Sequence, residues 1–495
     1  MILPRHFFQR IPLFIITIPL FVVIHTKLEY GRLIVFSTVA NDILLLFLPA
    51  VLIFFITLLL WRNIVKAGVF SALLLLFYYF FADLKDWLWQ LYPRHLISSY
   101  LFLLPTCGLV LVLLLISLIR MKKTPVRSFA FFNVLFLLFI AYDVLTLAFS
   151  GNRLQDLGDP HKRLSGNYTP CDTCHKPDIY YIVLDGYTAS STLQDHFGYN
   201  NAALDSFLRQ KQFYIVQHSN SNYNLTPFSI SATLNLDYLT RLNTSKDFYM
   251  KEYMPGVETV YKNELFTLLK KEGYHLINNS IFDIDQAAPL TPYNNEWGID
   301  KLFKRHHFFY KIIRDIGWKL HLSLFAGNAE DNYRNETTQL SRHVKSVIGN
   351  LDTIIKGSKT APVFVYSHLL LPHNPFIFDS AGNVIPVPAS SADKNRYVQQ
   401  LQYTNTLIRE MTNTILSDTT RSVVIILQGD HGFRFWHGKE KTEFSNLNAF
   451  YFSNKNYSLL YDSITNVNTF RVVCNTFFKQ HLQLLPDTSY FLQYR

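Results

Sequence analysis

The chain has 495 residues and a formal net charge of +10, too long for one small domain and long enough for a membrane unit plus a large globular one. Phe (42) and Tyr (29) are abundant and Cys is scarce at four. The positive charge forms no basic stripe and accompanies no RNA-binding signature, so nucleic acid is excluded as a partner and a membrane surface fits better.

Five apolar runs open the sequence: 11–24, 43–61, 67–81, 101–119 and 129–149. A helix needs about 20 apolar residues to cross the hydrocarbon core. The second, fourth and fifth runs meet this, and flanking residues such as Phe7, Phe8 and Ala82 extend the other two. The first run carries Pro12 and Pro19, lacks a small-x-small cleavage site and is followed by four more, so it reads as a span and not a cleaved leader. Arg5, Arg10, Arg62, Lys66, Arg120, Lys122, Lys123 and Arg127 fall on one side, against Lys27, Arg32, Lys85 and Arg94 on the other. That asymmetry places the N-terminus inside and, after five crossings, everything beyond Ser150 outside the cytoplasmic membrane. Trp87, Trp89 and Tyr92 suit an interfacial segment. Asp143, within the fifth run, is either a bundle-facing carboxyl or a contact for a lipid head group. Cys107 lies in an apolar run and reads as packing.

Residues 151–177 are polar and rich in Gly, Pro, Asn and Asp, the signature of a linker. Cys171 and Cys174 near its end read as a small disulfide loop in an exported domain. From Asp178 to Arg495, strands alternate with helical patterns. The expected strands are 179–184, 213–216, 275–277, 362–366 and 423–427; the expected helices are 202–210, 264–272, 341–355 and 397–415. Such alternation predicts an α/β domain with a mainly parallel central sheet covered on both faces. In such a sheet the site forms at the carboxyl ends of the strands. Asp185, His368 and Asp430-His431 follow three of these runs.

Asp185, Asp430 and His431 offer two oxygens and a nitrogen, a set suited to zinc or manganese rather than calcium. A Thr or Ser hydroxyl could complete it, and an acidified hydroxyl is a nucleophile near neutral pH. Thr226 precedes a helical pattern at 229–234 whose N-terminus would favour phosphate. Asn224 and Thr226 could equally cap that helix. Thr188, Ser190 and Ser191 lie near Asp185 and are rival nucleophiles. His368, His373 and His437 sit in loops after strand ends, where histidines bind phosphoryl oxygens or protonate a leaving group.

Four stretches carry a resemblance: 178–185, 222–229, 368–373 and 429–438. Together they resemble the sulfatase-like branch of the alkaline phosphatase superfamily, in particular the membrane-anchored phosphoethanolamine transferases and lipoteichoic acid synthases. The resemblance implies a five-helix transmembrane domain (1–150), a linker (151–177) and an extracytoplasmic catalytic domain (178–495). It implies one or two divalent metal ions, zinc or manganese, on Asp185, Thr226, Asp430 and His431. It also implies Thr226 as nucleophile, with Ser229 three residues on, and substrate binding by His368, His373 and His437. The implied partners are a phospholipid donor and a cell-envelope glycan or lipid acceptor. The Cys/Ser-x-Pro-x-Arg signature of sulfatases does not occur in the sequence, which argues against sulfatase activity.

Overall fold

The computed structural model describes residues 8–30, 40–150, 164–166, 168–240, 242, 247–248, 250–285, 287–291, 307–317, 329–357, 359–387, 389–435 and 440–494. The chain divides into two compact units. The first comprises 1–154 and 294–329, the second 155–293 and 330–495.

The first unit contains α1 (Phe14–Tyr30), α2 (Ala40–Trp61), α3 (Ile64–Leu91), α4 (Tyr100–Arg120) and α5 (Val126–Ser150). Among the described residues α2 to α5 are long and apolar enough to cross a membrane. α1 has 17 residues with Pro19 inside, which at 1.5 Å per residue spans about 26 Å. Leu44, Leu48, Phe55, Leu59, Leu101, Leu113 and Leu138 are exposed, an apolar surface that suits hydrocarbon and not water. Polar side chains sit inside the bundle, where they join helices. Asn133 accepts from the Phe14 amide at 3.1 Å and donates to the Phe8 and Ile11 carbonyls at 2.8 Å each. Thr57 and Ser71 share a hydroxyl contact at 2.6 Å. Asp143 is buried against His25 Nδ1 at 3.0 Å, so its carboxyl faces the bundle. Cys107 packs beside the Phe81, Leu103 and Ile312 cluster.

The second unit runs through β1 (Asp178–Leu184), α6 (Ala202–Gln210), β2 (Tyr214–Ile215), α7 (Thr226–Asn235), β3 (Asp247–Phe248), α8 (Met250–Tyr261), α9 (Glu264–Lys271) and β4 (His275–Asn279). The chain then returns to the first unit for α10 (Phe308–Ile316). It resumes with α11 (Ala329–Lys356), β5 (Val363–Leu369), α12 (Lys394–Ser417), β6 (Val423–Gly429), β7 (Asn448–Phe452), α13 (Thr469–Phe477) and β8 (Gln493–Tyr494). α10 is amphipathic. Phe308 and Ile312 pack with Phe77, Phe81 and Leu103 of α3 and α4, and Lys311 meets Asp86 at 2.6 Å.

The central sheet has the order β2-β7-β6-β1-β5-β4. β6, β1, β5 and β4 are mutually parallel, whereas β7 pairs antiparallel with β6 and β2 antiparallel with β7. The sheet is therefore mixed. An antiparallel neighbour needs no helical crossover, so β7 follows β6 through the loop that carries the site. The expected strand at 213–216 shrinks to a two-residue edge strand. β1, β5 and β6 are buried at every position, which is why their sequences read as unbroken apolar runs. At their amino ends the buried Asp178 takes a bidentate bond from Arg421, both arms at 2.8 Å, and another from the Val363 amide.

Part of the expected linker is held against the second unit. Cys171 and Cys174 form a disulfide. The buried Glu272 carboxylate accepts from Tyr168 Oη at 2.7 Å and the Cys171 amide at 3.0 Å, and pairs with Lys176 at 2.7 Å.

Candidate metal centre and nucleophile

Parallel register decides which residues meet. Leu184 stands between Leu369 of β5 and Gly429 of β6, so the residues leaving the three strands emerge side by side. Asp185 follows β1 and Asp430-His431 follows β6. His368 differs from the expectation. It is the penultimate residue of β5, because the pairing with β1 continues to Leu369.

The four side chains are fully or almost fully buried, and their free atoms point at one another. Asp430 Oδ1 accepts from the Gly186 and His431 amides at 3.0 and 2.9 Å, while Oδ2 has no hydrogen-bond partner. Neither oxygen of Asp185 has one, nor does His368 Nε2. His431 Nε2 lies 3.5 Å from Asp185 Oδ1, 3.6 Å from Asp430 Oδ2 and 3.3 Å from Thr226 Oγ1. Four ligands about 2.1 Å from a tetrahedral ion are separated by about 3.4 Å. The three edges that share His431 fit that spacing. Buried carboxylates without hydrogen bonds cost several kcal/mol unless a cation or donor answers them, so the donor set fits a divalent ion. His431 Nδ1 faces the Gly432 carbonyl at 2.7 Å. This places the ring proton on Nδ1 and leaves the Nε2 lone pair aimed at the site, the tautomer a metal requires.

Two overlapping groups of ligand atoms satisfy a metal spacing, Asp185–His373–His431 and Asp185–His368–Asp430, with all atoms of each within 4.8 Å. Burial alone would raise the Asp185 carboxyl. The neighbouring His373, His368 and His431 outweigh it and hold the group well below the usual carboxylate range. Burial pushes His373 down to about 4, a fall that Asp185 opposes and Arg434 assists. His343 of α11, against His368, is also lowered to about 4, mainly by burial.

Thr226 opens α7 and is buried, and its hydroxyl faces His431. No side chain caps this helix. Asn224 instead donates to Glu443 Oε2 at 2.8 Å and to the Leu492 carbonyl at 3.0 Å. Ser229 donates to the Asp430 carbonyl at 2.5 Å, tying α7 to the loop after β6. The rival hydroxyls are engaged elsewhere. Thr188 accepts from the Phe433 amide at 2.9 Å, Ser190 donates to Asp205 at 3.0 Å, and Ser191 is exposed.

Two glycines are needed for this geometry. Gly186 has φ +67°, a left-handed conformation that a side chain resists. A Cβ at Gly432 would stand 2.2 Å from the Thr442 carbonyl oxygen and 2.4 Å from that of Ser445. His373 lies between two cis peptide bonds, Leu371-Pro372 and Asn374-Pro375. Its Nδ1 faces the Asn374 carbonyl at 2.6 Å and its Nε2 accepts from Arg434 at 2.8 Å. Arg434 and His343 are not among the residues expected from sequence. Arg434 could have been noticed as a cation three residues past His431. His437 lies outside the described residues.

No protein-family model and no curated protein matches the chain. In structure it is similar to the integral membrane protein lipooligosaccharide phosphoethanolamine transferase A from Neisseria meningitidis, at 10% identity and TM-score 0.39, with 97% of this chain and 96% of that one covered. It is also similar to the C-terminal periplasmic domain of EcEptC from Escherichia coli in complex with zinc, at 9% identity and TM-score 0.38, covering 62% of this chain and 84% of that one. A third match is a protein in the alkaline phosphatase superfamily from Vibrio parahaemolyticus, at 12% identity and TM-score 0.37, covering 64% of this chain and 71% of that one.

Proposed function

We propose that the protein is a metal-dependent transferase of the sulfatase-like kind. It moves a phosphoryl-alcohol group, such as phosphoethanolamine or phosphoglycerol, from a membrane lipid to a cell-envelope acceptor through phospho-Thr226. The observation that carries this reading is the Thr226 hydroxyl, buried 3.3 Å from His431 Nε2 beside the Asp185 carboxylate and Asp430 Oδ2, which have no hydrogen-bond partners. Asp185, Asp430, His431 and Thr226 would hold zinc or manganese, as one ion or two. Such an ion acidifies a bound hydroxyl and neutralises charge developing on phosphoryl oxygens.

Thr226 Oγ1 forms the new bond to phosphorus as the bond to the lipid alcohol breaks. The N-terminus of α7, the positive end of the helix dipole, begins at Thr226 and would favour the same negative oxygens. His373 is neutral at pH 7 and acts in binding rather than as an acid. His368 and His437 join it in holding substrate. The acceptor hydroxyl then attacks phospho-Thr226 and regenerates the free side chain. Five N-terminal spans with the catalytic domain outside the cytoplasmic membrane would keep the site near a lipid donor and raise its effective concentration. Water in place of the acceptor would make the same site a membrane-anchored phosphodiesterase or phosphatase.

The test is incubation of the full-length, metal-loaded protein with headgroup-labelled phospholipids, with and without acceptor, then mass analysis of the Thr226 peptide. The expected result is a phosphoryl-alcohol adduct on Thr226 that acceptor discharges. Headgroup release with no adduct at any time would overturn the covalent reading. Discharge at the same rate without acceptor would make the protein a hydrolase.

A further inference from the structure

Arg434 stands three residues beyond His431, and its surroundings do not suit a structural cation. Its Nη2 donates to His373 Nε2 at 2.8 Å, and its guanidinium lies 5.7 Å from the Phe435 ring centre. Among the described residues it has no carboxylate partner. It is half-buried, and among the described residues its hydrogen bond goes to the His373 imidazole. His373 Nδ1 is taken by the Asn374 carbonyl, so both ring nitrogens are occupied. A lone pair that accepts an N–H cannot bind a metal at the same time. In this arrangement His373 carries Arg434 rather than ligating.

The walls beside this pair are aromatic. Phe376, Tyr397, Phe433 and Phe435 line a narrow cleft with Gly186, His373 and His431. Tyr397 and Phe433 ring centres are 4.8 Å apart, and those of His373 and Phe435 are 5.6 Å apart. Such walls exclude water and lower the local dielectric, which strengthens a guanidinium–anion contact. The planar fork of Arg matches two phosphoryl oxygens at once.

We propose that Arg434 is the substrate's anion clamp, moving from His373 to the phosphoryl oxygens when substrate enters. The proposal rests on the phosphoryl-transfer reading of the site above.

The experiment uses the full chain in detergent, loaded with zinc, as wild type and as Arg434→Ala, Arg434→Gln and Arg434→Lys. Bound zinc is counted, inorganic phosphate binding is measured by calorimetry, and kcat/KM is measured for bis-p-nitrophenyl phosphate and p-nitrophenyl phosphate. Arg434→Ala and Arg434→Gln should keep zinc and weaken phosphate binding about 10- to 100-fold. They should lower kcat/KM for both esters. Arg434→Lys should recover part of the binding, because it restores the charge without the fork. A Gln or Ala variant that holds zinc and binds phosphate as tightly as wild type overturns the clamp. If wild type turns over neither ester yet binds phosphate through Arg434, the clamp stands and the transferase reading falls. If wild type turns over the diester and Arg434→Ala does so equally well, the reading stands and the clamp falls.

Discussion

Asp430→Asn should have opposite effects on the metal-free and metal-loaded protein. Asp430 Oδ2 and the Asp185 carboxylate are buried, lack hydrogen-bond partners, and have ligand atoms within 4.8 Å. Two unit charges at that separation repel by about 3 kcal/mol at an effective dielectric near 20. In the variant the amide oxygen can still accept from the Gly186 and His431 amides, now at 3.0 and 2.9 Å. Its NH2 then points at Asp185 and turns a repulsion into a hydrogen bond. After exhaustive chelation the variant should therefore melt higher than wild type, by several degrees. With zinc at roughly a thousand times its dissociation constant, wild type should gain about 4 kcal/mol. The variant, which has lost a charged ligand and gained a donor facing the ion, should gain far less, so the order of melting temperatures reverses. The assay is thermal unfolding of the second unit's transition in the full-length protein, with chelator and with zinc. The reasoning is refuted if the chelated variant melts below chelated wild type, or if zinc raises both equally.

The hydroxyl assignment predicts that Thr226→Ala keeps its metal on Asp185, Asp430 and His431, forms no adduct and loses activity by orders of magnitude. Thr226→Ser should retain part of the activity. Wild-type turnover in Thr226→Ala would move the role to another hydroxyl or to water. Gly432→Ala places a methyl 2.2 Å from the Thr442 carbonyl oxygen; bound zinc measured after gel filtration should drop well below stoichiometric while far-UV circular dichroism is kept. His343 is lowered to about 4 by burial, so between that value and its unfolded pKa near 6.5 the unfolded chain binds more protons than the folded one. Stability should fall as pH drops from about 6.5 toward 4, and His343→Gln should flatten that slope in denaturant titrations. An unchanged slope would assign the proton uptake to other groups.

The apolar runs were readable as helices because a helix closes its own hydrogen bonds, so one segment's composition suffices. The same holds for β1, β5 and β6, whose burial on both faces leaves unbroken apolar sequence. Asp185 and Asp430-His431 could be placed at strand ends for the same reason. Other features depend on contacts between distant segments. Thr226 and His431 are 205 positions apart, and nothing local separates Thr226 from Thr188, Ser190 or Ser191. The loop contacts, with Ser229 on the Asp430 carbonyl and Asn224 on Glu443 and Leu492, bring the Thr226 hydroxyl to His431. The reversal of β7 was hidden because a buried strand looks alike in either direction. α10 folds with the first unit through Lys311 and Asp86, 225 residues apart, although its sequence lies within the second. Arg434 could be seen in the sequence, but its place against His373 depends on β5 and β6 flanking β1 in register. Period and polarity fix what a segment becomes; register and packing between segments fix which side chains meet.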